Sequence, residues 1–362
     1  MTSLFGRLLP LLLLTAVASS VQAQVETDEG FAFRLGGTVQ PRVSFGADGG
    51  GEERERFGFG MRRARLISRV TWRDRFGVEV EIEASGSVVE PVDVFAAAYL
   101  SERVRVRAGR MWSAQPRGFN PTSHRAIDAV ERAAIIGRWA GSTIGSSGRD
   151  MGVDLRYDAG PTSLELFVHD GSGIFTRDEA NFRESIESSS VTRGTDRANV
   201  AVSGAVRHEP PGLAGVELGA FGSVNAGGNP RTAVDGVERS YATGAAFLYW
   251  GAEPGSQPVR LKLDALGIAY EAAGGVDAQA AAGVSGLGAV RVLGYGEAFA
   301  RAERFWPDLG PAETYLTAGA SYSPSAAAGG RYRTARLTAA YAWRDVAGEN
   351  AHLVVLQGQF AF

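Results

Sequence analysis

The chain has no cysteine, a single lysine (Lys262), only 14 prolines in 362 residues and, past its first two dozen residues, no long apolar run. Each shortage excludes something. Without cysteine there is neither a disulfide framework nor a thiolate metal site. Without a further stretch of ~20 apolar residues no spanning helix follows the N-terminal region. The 37 Lys+Arg nearly balance the 40 Asp+Glu, for a net charge of −3, which argues against a general affinity for nucleic acid. No spaced His/Asp/Glu set suggests zinc and no calcium-loop pattern is found, so no cofactor is expected.

What is present begins with an export address. Met1 to Arg7 carry one positive charge, Leu8 to Ser20 are mainly apolar, and Val21-Gln22-Ala23 offers small residues at −3 and −1. This pattern predicts a signal peptide over 1–23, with the mature chain, 24–362, starting at Gln24. A membrane anchor is the alternative, but the apolar run is short for ~30 Å of hydrocarbon.

Downstream, apolar residues alternate with polar ones. Phe76, Val78, Val80, Ile82 and Ala84 oppose Glu79, Glu81 and Glu83, and Val104, Val106 and Ala108 oppose Arg103, Arg105 and Arg107. Ala335, Leu337, Ala339, Tyr341 and Trp343 oppose Thr334, Arg336, Thr338 and Arg344. Period 2 is the signature of half-buried strands. About sixteen such segments follow one another, and their connections alternate loosely between tight and long, the long ones being 112–148 and 170–194. A soluble β-sandwich would also alternate. Small apolar positions such as Ala298, Ala300 and Ala302, together with dense charged rows on single strands, fit better with a lipid-facing skin around a wet interior. The expected fold is therefore all-β: a closed transmembrane antiparallel barrel of about 16 strands, the one sheet arrangement that lipid permits. The last strand ends on Phe360 and Phe362, in the aromatic pattern by which outer-membrane barrels are recognised for insertion.

From Met61 to about Gly171 the chain resembles the phosphate-selective porin O and P family. The resemblance is carried by Arg62-Arg63-Ala64-Arg65-Leu66, by Val78-Glu79-Val80-Glu81 and by Val104 to Arg110. It continues through Asp128-Ala129-Val130-Glu131-Arg132-Ala133 and Gly148 to Leu155. It implies a sixteen-stranded outer-membrane barrel, a homotrimer, and conduction of small solutes. Phosphate-selecting members line their pores with basic residues, lysines among them; here the cations are almost all arginine.

Two arginine rows are pore-lining candidates. Arg63, Arg65 and Arg69 share one parity, beside Glu79, Glu81 and Glu83 on the next strand, so mutual neutralisation is the simpler reading there. Arg103, Arg105 and Arg107 have fewer evident partners and are as well suited to an anion ladder. A charge on the lipid face would cost ~2–4 kcal/mol at mid-depth, which favours the lumen for both rows. The long segment 112–148 carries Arg117, Arg125, Asp128, Glu131 and Arg132, and Arg125 to Trp139 is a candidate helix. Folded inward, it would constrict the pore; otherwise it is a loop over the mouth. The dipeptide His169-Asp170 is the one local pair that hints at an enzyme, and too little to carry one. The expected function is passive diffusion of small hydrophilic solutes or ions, anions such as phosphate included, across the outer-membrane lipid. A non-conducting structural or adhesion barrel, binding a partner through its loops, is the alternative.

Overall fold

The protein is described from a computed structural model covering residues 23–27, 29–48, 56–85, 88–171, 173, 200–234, 236–272, 275 and 277–362. The expected signal peptide and most of 170–194 lie outside the described residues. Strands are β1 (Ala23–Glu26), β2 (Phe31–Asp48), β3 (Arg56–Trp72), β4 (Phe76–Ser85), β5 (Val88–Tyr99), β6 (Val104–Met111), β7 (Asp150–Ala159) and β8 (Thr162–His169). They continue as β9 (Ala201–His208), β10 (Val216–Val234), β11 (Val237–Trp250), β12 (Val259–Tyr270), β13 (Gln279–Val292) and β14 (Gly296–Trp306). The last three are β15 (Glu313–Tyr322), β16 (Ala335–Val346) and β17 (Glu349–Ala361).

Each strand from β2 to β17 pairs antiparallel with the next, and β17 pairs with β2 through Ala361↔Thr38 to Ala351↔Asp48. The ring thus closes on 16 strands, and β1 lies against the first residues of β2 (Glu26↔Ala32). Closure leaves no open edge around the ring, as lipid requires. Outward positions are the alternating apolar ones: Val78 is 51% exposed, Leu263 43% and Leu316 47%. Aromatic rings mark the end of the barrel where the chain termini lie: Trp72 stacks on Phe76 at 5.9 Å, and Tyr295 meets Tyr322 edge-on at 5.7 Å. Tight turns such as Arg73–Arg75 belong to this near end, and the segment 112–149 to the far end. Length does not divide the connections cleanly by end: 323–334 joins β15 to β16 at the near end, whereas Ala347–Gly348 joins β16 to β17 at the far end.

Two bulges alter which side chains enter the lumen. Gln40 pairs with Arg63 but Pro41 pairs with Met61, so Arg62 is an extra residue opposite a proline that cannot donate to the ladder. On β4–β5, Glu81 pairs with Asp93 but Ile82 with Pro91, leaving Val92 extra and buried.

The segment between β6 and β7 folds into the barrel. A 3₁₀ turn spans His124–Ala126 and a helix, α1, spans Ala134–Ser142. The candidate helix Arg125 to Trp139 therefore begins later than expected. Before it the chain is held extended or bent by bonds to the wall, and Val130 adopts φ 66°. The helix forms where Ile135, Ile136, Trp139 and Ala140 give one apolar stripe. Glu303 accepts a hydrogen bond from the Ala134 N–H at its positive end.

Candidate functional site

The inserted segment divides the lumen into unlike halves. On one side, Ile135, Ile136 and Trp139 pack against Phe221, Tyr241, Leu266, Ile268 and Phe305, which project inward from β10, β11, β12 and β14. Trp139 meets Phe119 and Phe221 edge-on at 5.7 and 5.5 Å. Here the barrel interior is a packed core rather than a wet wall. The opposite face of α1 presents Gly137 and Gly141, where an added Cβ would meet nothing within 4 Å.

Ion pairs fix the segment from several directions. Asp128 accepts from Arg260 at 2.5 Å and from Lys262 at 2.6 Å, both on β12. Three residues later Glu131 accepts from Arg62 Nε at 2.7 Å and Arg42 at 2.8 Å, on β3 and β2. Burial alone would raise the Asp128 carboxyl, but Lys262 and Arg260 hold it down at about 2. Burial acts likewise on Glu131, and the bonds and charge of Arg62 and Arg42 hold it at about 2. Arg117 pairs with Glu217 at 2.7 Å, Arg138 with Glu313 at 2.7 Å, and Arg149 with Asp93 at 3.0 Å. At the inner bend, Arg125 donates only to neutral oxygens, Thr38 Oγ1 (2.8 Å) and the Gly37 carbonyl (2.9 Å). The His124 Nε2 lies 3.0 Å from the same hydroxyl. Burial, then the charges of Arg65, Arg63, Arg125 and Arg132, push the His124 imidazole well below its ordinary range. The bend is braced further by wall residues donating to its carbonyls, Arg336 to Ile127 at 2.6 Å and Gln359 to Arg125 at 3.2 Å.

Two chambers remain along β3. The far one, about 430 Å³, is lined by seven arginines, among them Arg62, Arg63, Arg65, Arg132 and Arg149, against two glutamates, Glu83 and Glu90. Arg132 donates to the Thr122 carbonyl at 3.0 Å and lies 5.1 Å over the Phe119 ring. The near one, about 380 Å³, is lined by Arg34, Arg69, Arg125, Arg331 and Arg333 and no acid. Where the segment meets β11–β14, the gap beside Asp128 and Lys262 is only about 40 Å³.

Solved structures share this architecture. The anion-selective porin from Comamonas acidovorans aligns with TM-score 0.67 at 16% identity, covering 92% of this chain and 100% of that one. The outer membrane channel DcaP of Acinetobacter baumannii aligns with TM-score 0.59 at 13% identity, covering 94% and 100%. OmpT of Vibrio cholerae, in a trimer form, gives 0.60 at 11%, covering 92% and 100%. The fold is that of an outer-membrane porin. Comparison with protein-family models finds no match, and neither does comparison with curated proteins.

Within this porin fold the candidate rows are distributed unevenly. Arg65 lies 2.7 Å from Glu81 and 2.6 Å from Glu83, and Arg69 pairs with Glu79. Arg63, by contrast, is buried with only the Gln40 amide oxygen at 3.1 Å. Arg107 is bound to buried Asp154 at 2.7 Å, and Arg105 faces inward beside it. Arg103 does not belong to that row. Ser101 Oγ accepts from the Arg103 and Val104 N–H groups, making Ser101–Arg103 a tight turn and leaving Arg103 exposed at the near mouth. Phe360 and Phe362 end the ring on its outer parity, and the Phe362 carbonyl accepts from the Gly37 N–H at 3.0 Å.

The expected pairing of His169 with Asp170 is replaced by another. His169 Nδ1 lies 2.7 Å from Asp150 Oδ2, across the β7–β8 ladder, and Nε2 lies 2.8 Å from Ser203 Oγ. This has the order of a Ser–His–Asp relay. Yet Ser203 is 3% exposed and its hydroxyl is also bonded to Ser223 Oγ at 2.9 Å, so these residues stitch four adjacent strands together. Residues that the alternation pattern missed include Arg42, Arg62, Asp93 and Arg149. The usable signals were Pro41 and Pro91, since a proline inside a strand marks a bulge and hence a shift of parity.

Proposed function

We propose that the protein is a passive diffusion channel of the outer membrane that passes small hydrophilic solutes and prefers anions, inorganic phosphate included. One observation carries this reading: the space left beside the inserted segment is lined by guanidinium groups in large excess over carboxylates. Pore selectivity follows the lining charges and the radius, and a guanidinium fork matches carboxylate and phosphate oxygens. The segment 112–148 serves as the constriction, and Glu131 and Arg132 are among the charges it brings to the lumen. The neighbour named as an anion-selective porin supports the same direction. In this reading the channel works as a homotrimer, the form also seen for OmpT of Vibrio cholerae. Residues 1–23 are removed on export and Phe360 and Phe362 form the insertion signal.

The test is electrical. Purified protein in planar bilayers should give steady ohmic steps, and a KCl gradient should give a reversal potential on the chloride side. Replacing Arg63 and Arg132 together by glutamine should move that potential toward cations; a cation preference in the unmodified channel sinks the proposal. The alternative, a non-conducting barrel that binds through its loops, draws support from the number of bonds spanning the lumen. Silence from a correctly folded barrel would favour it.

A further inference from the structure

Apolar residues that point into the lumen are covered in two places. The stripe of α1 covers Phe221, Leu266 and Ile268, and Ala129 and Val130 of the inserted segment cover Ala340 and Val355. Two residues from Val355, toward the far end, the cover stops. Leu353 has the same inward parity, yet it is 39% exposed where Val355 is 5%. Leu353 pairs with Ala342 on β16 and Gly46 on β2, and Arg344 pairs with Tyr315 on β15 and Ala351 on β17. Tyr315, Ala342, Ala351 and Leu353 thus form one lumen-facing patch, with Ser44 and Gly46 at its border, along a space of about 410 Å³. The Tyr315 hydroxyl donates to Glu313, which holds the ring in place. At the edge stands Arg344. Its Nη2 lies 3.4 Å from Glu313, a carboxylate already held by Arg138 at 2.7 Å. Its Nε is buried with no hydrogen-bond partner among the described residues, and its guanidinium lies 5.8 Å over the Tyr315 ring.

From this uncovered wall beside an under-used guanidinium we infer that the β15–β17 face of the far vestibule binds a small carboxylate bearing one flat apolar ring, a solute of the benzoate class. The inference rests on the channel reading proposed above and adds to it a solute class, chosen by the ring rather than by charge alone. Uncovered apolar surface that no part of the chain needs for packing marks a place where something else is covered. Gly46, Ala342 and Ala351 make a shallow, smooth floor, which suits a planar ring, and Leu353 and Tyr315 stand beside it. A ring laid there removes apolar surface from water on both partners. A hydroxylated ring of the same size gains nothing comparable, because its hydroxyls would exchange water for a wall that offers few polar groups. The carboxylate, projecting from the ring edge, accepts a charge-assisted bond from Arg344. A space of about 410 Å³ admits such a solute with part of its water.

The probes are benzoate and glucuronate, two monocarboxylates of which one has an apolar and the other a hydroxylated ring, each added to open channels in KCl. Benzoate should lower the current saturably at a concentration about tenfold below that needed with glucuronate. Leu353→Asn should raise the half-blocking concentration of benzoate about tenfold and leave that of glucuronate where it was, so that the two probes become alike. Arg344→Gln should raise the benzoate value about fivefold, as loss of one charge-assisted contact predicts. Equal half-blocking concentrations in the unmodified channel, or a benzoate value unmoved by either substitution, overturn the site. Should Leu353→Asn not fold, Ala342→Asn puts a polar group on the same floor and carries the same expectation. Should the barrel conduct nothing, saturation-transfer NMR on the detergent-solubilised protein reads the contact directly. Transfer to the benzoate ring protons, reduced in the Leu353 variant, supports the site, and equal transfer in both proteins refutes it. The reversal potential in KCl without either probe reads the anion preference separately, so the two readings fail in different measurements.

Discussion

The lumen side built by β2–β5 and the side built by β10–β14 obey different rules although they belong to one ring. On β3 and β4 the inward parity is charged almost throughout, and Arg65 and Arg69 meet Glu83, Glu81 and Glu79 across the ladder. On β12 the inward parity changes character along one strand. Arg260 and Lys262 bind Asp128, whereas Leu266 and Ile268 pack against the helix side of the inserted segment. The charged half can line a water path because its groups satisfy one another or remain hydrated. The apolar half cannot face water at that density, so it needs a partner, and α1 is that partner. A porin wall is thus not uniformly wet inside; its polarity follows what each strand faces.

This contrast can be broken experimentally, and the largest effect belongs to the apolar half. Trp139→Ala removes the ring between Phe119 and Phe221 and should destabilise the protein by roughly 3–5 kcal/mol. Urea unfolding in detergent measures it, and the ion preference of surviving channels should stay as it was. A reversal potential that moves with Trp139 would show that the two halves are not separable.

Next comes the clamp between the halves. Asp128→Ala leaves Lys262 without its carboxylate and Arg260 with Glu297 alone, at a cost of about 3 kcal/mol for buried charge left uncompensated. Open-channel noise should rise as the segment loosens, while a quiet trace would argue that the other bonds suffice. Gly137→Leu sharpens the comparison from the open side. With nothing within 4 Å of a Cβ there, and a better helix former replacing glycine, stability should hold or gain by up to about 1 kcal/mol. Conductance should nevertheless fall, because the new side chain enters the water path; an unchanged conductance would mean that this face is not on the path.

The smallest effect is that of acidification from neutrality down to about pH 5. Asp128 and Glu131 are both held at about 2, below the ordinary carboxylate range near ~4. For depressed carboxyls the stabilisation is complete above the unfolded value and is lost as pH falls toward the folded one. The stability contributed by these two carboxylates should therefore be flat down to roughly pH 5 and fall only below about 4. A transition near neutrality would point to some other group.

The strand order was readable from parity because a barrel wall repeats one rule per residue, and sixteen ring strands are found as expected, although β10 runs on to Val234 and Arg103 falls in a turn. Three features were not readable, each for a physical reason. Arg62 turns inward because of a bulge, which shifts parity by one residue while leaving composition unchanged. The helix could not be delimited because Arg125 to Ala133 has apolar and polar residues in helix-compatible numbers, yet its backbone is fixed by wall contacts such as Gln359 to the Arg125 carbonyl. The pairing of His169 with Asp150 spans two strands, and adjacency in sequence favoured Asp170 instead. Leu266, Ile268 and Tyr270 did carry a hint. A strand apolar on both faces, in a barrel with lipid on one side, calls for a second apolar body within.

The two carboxylates three positions apart, one held by β12 and the other by β2 and β3, also have a mechanical consequence. A hollow cylinder in a bilayer flattens readily under lateral load, since sheets bend more easily than they stretch. A tie-rod anchored at Asp128 and Glu131 resists that ovalisation, so the bore is set by the protein's own chemistry rather than by the tension of the membrane around it.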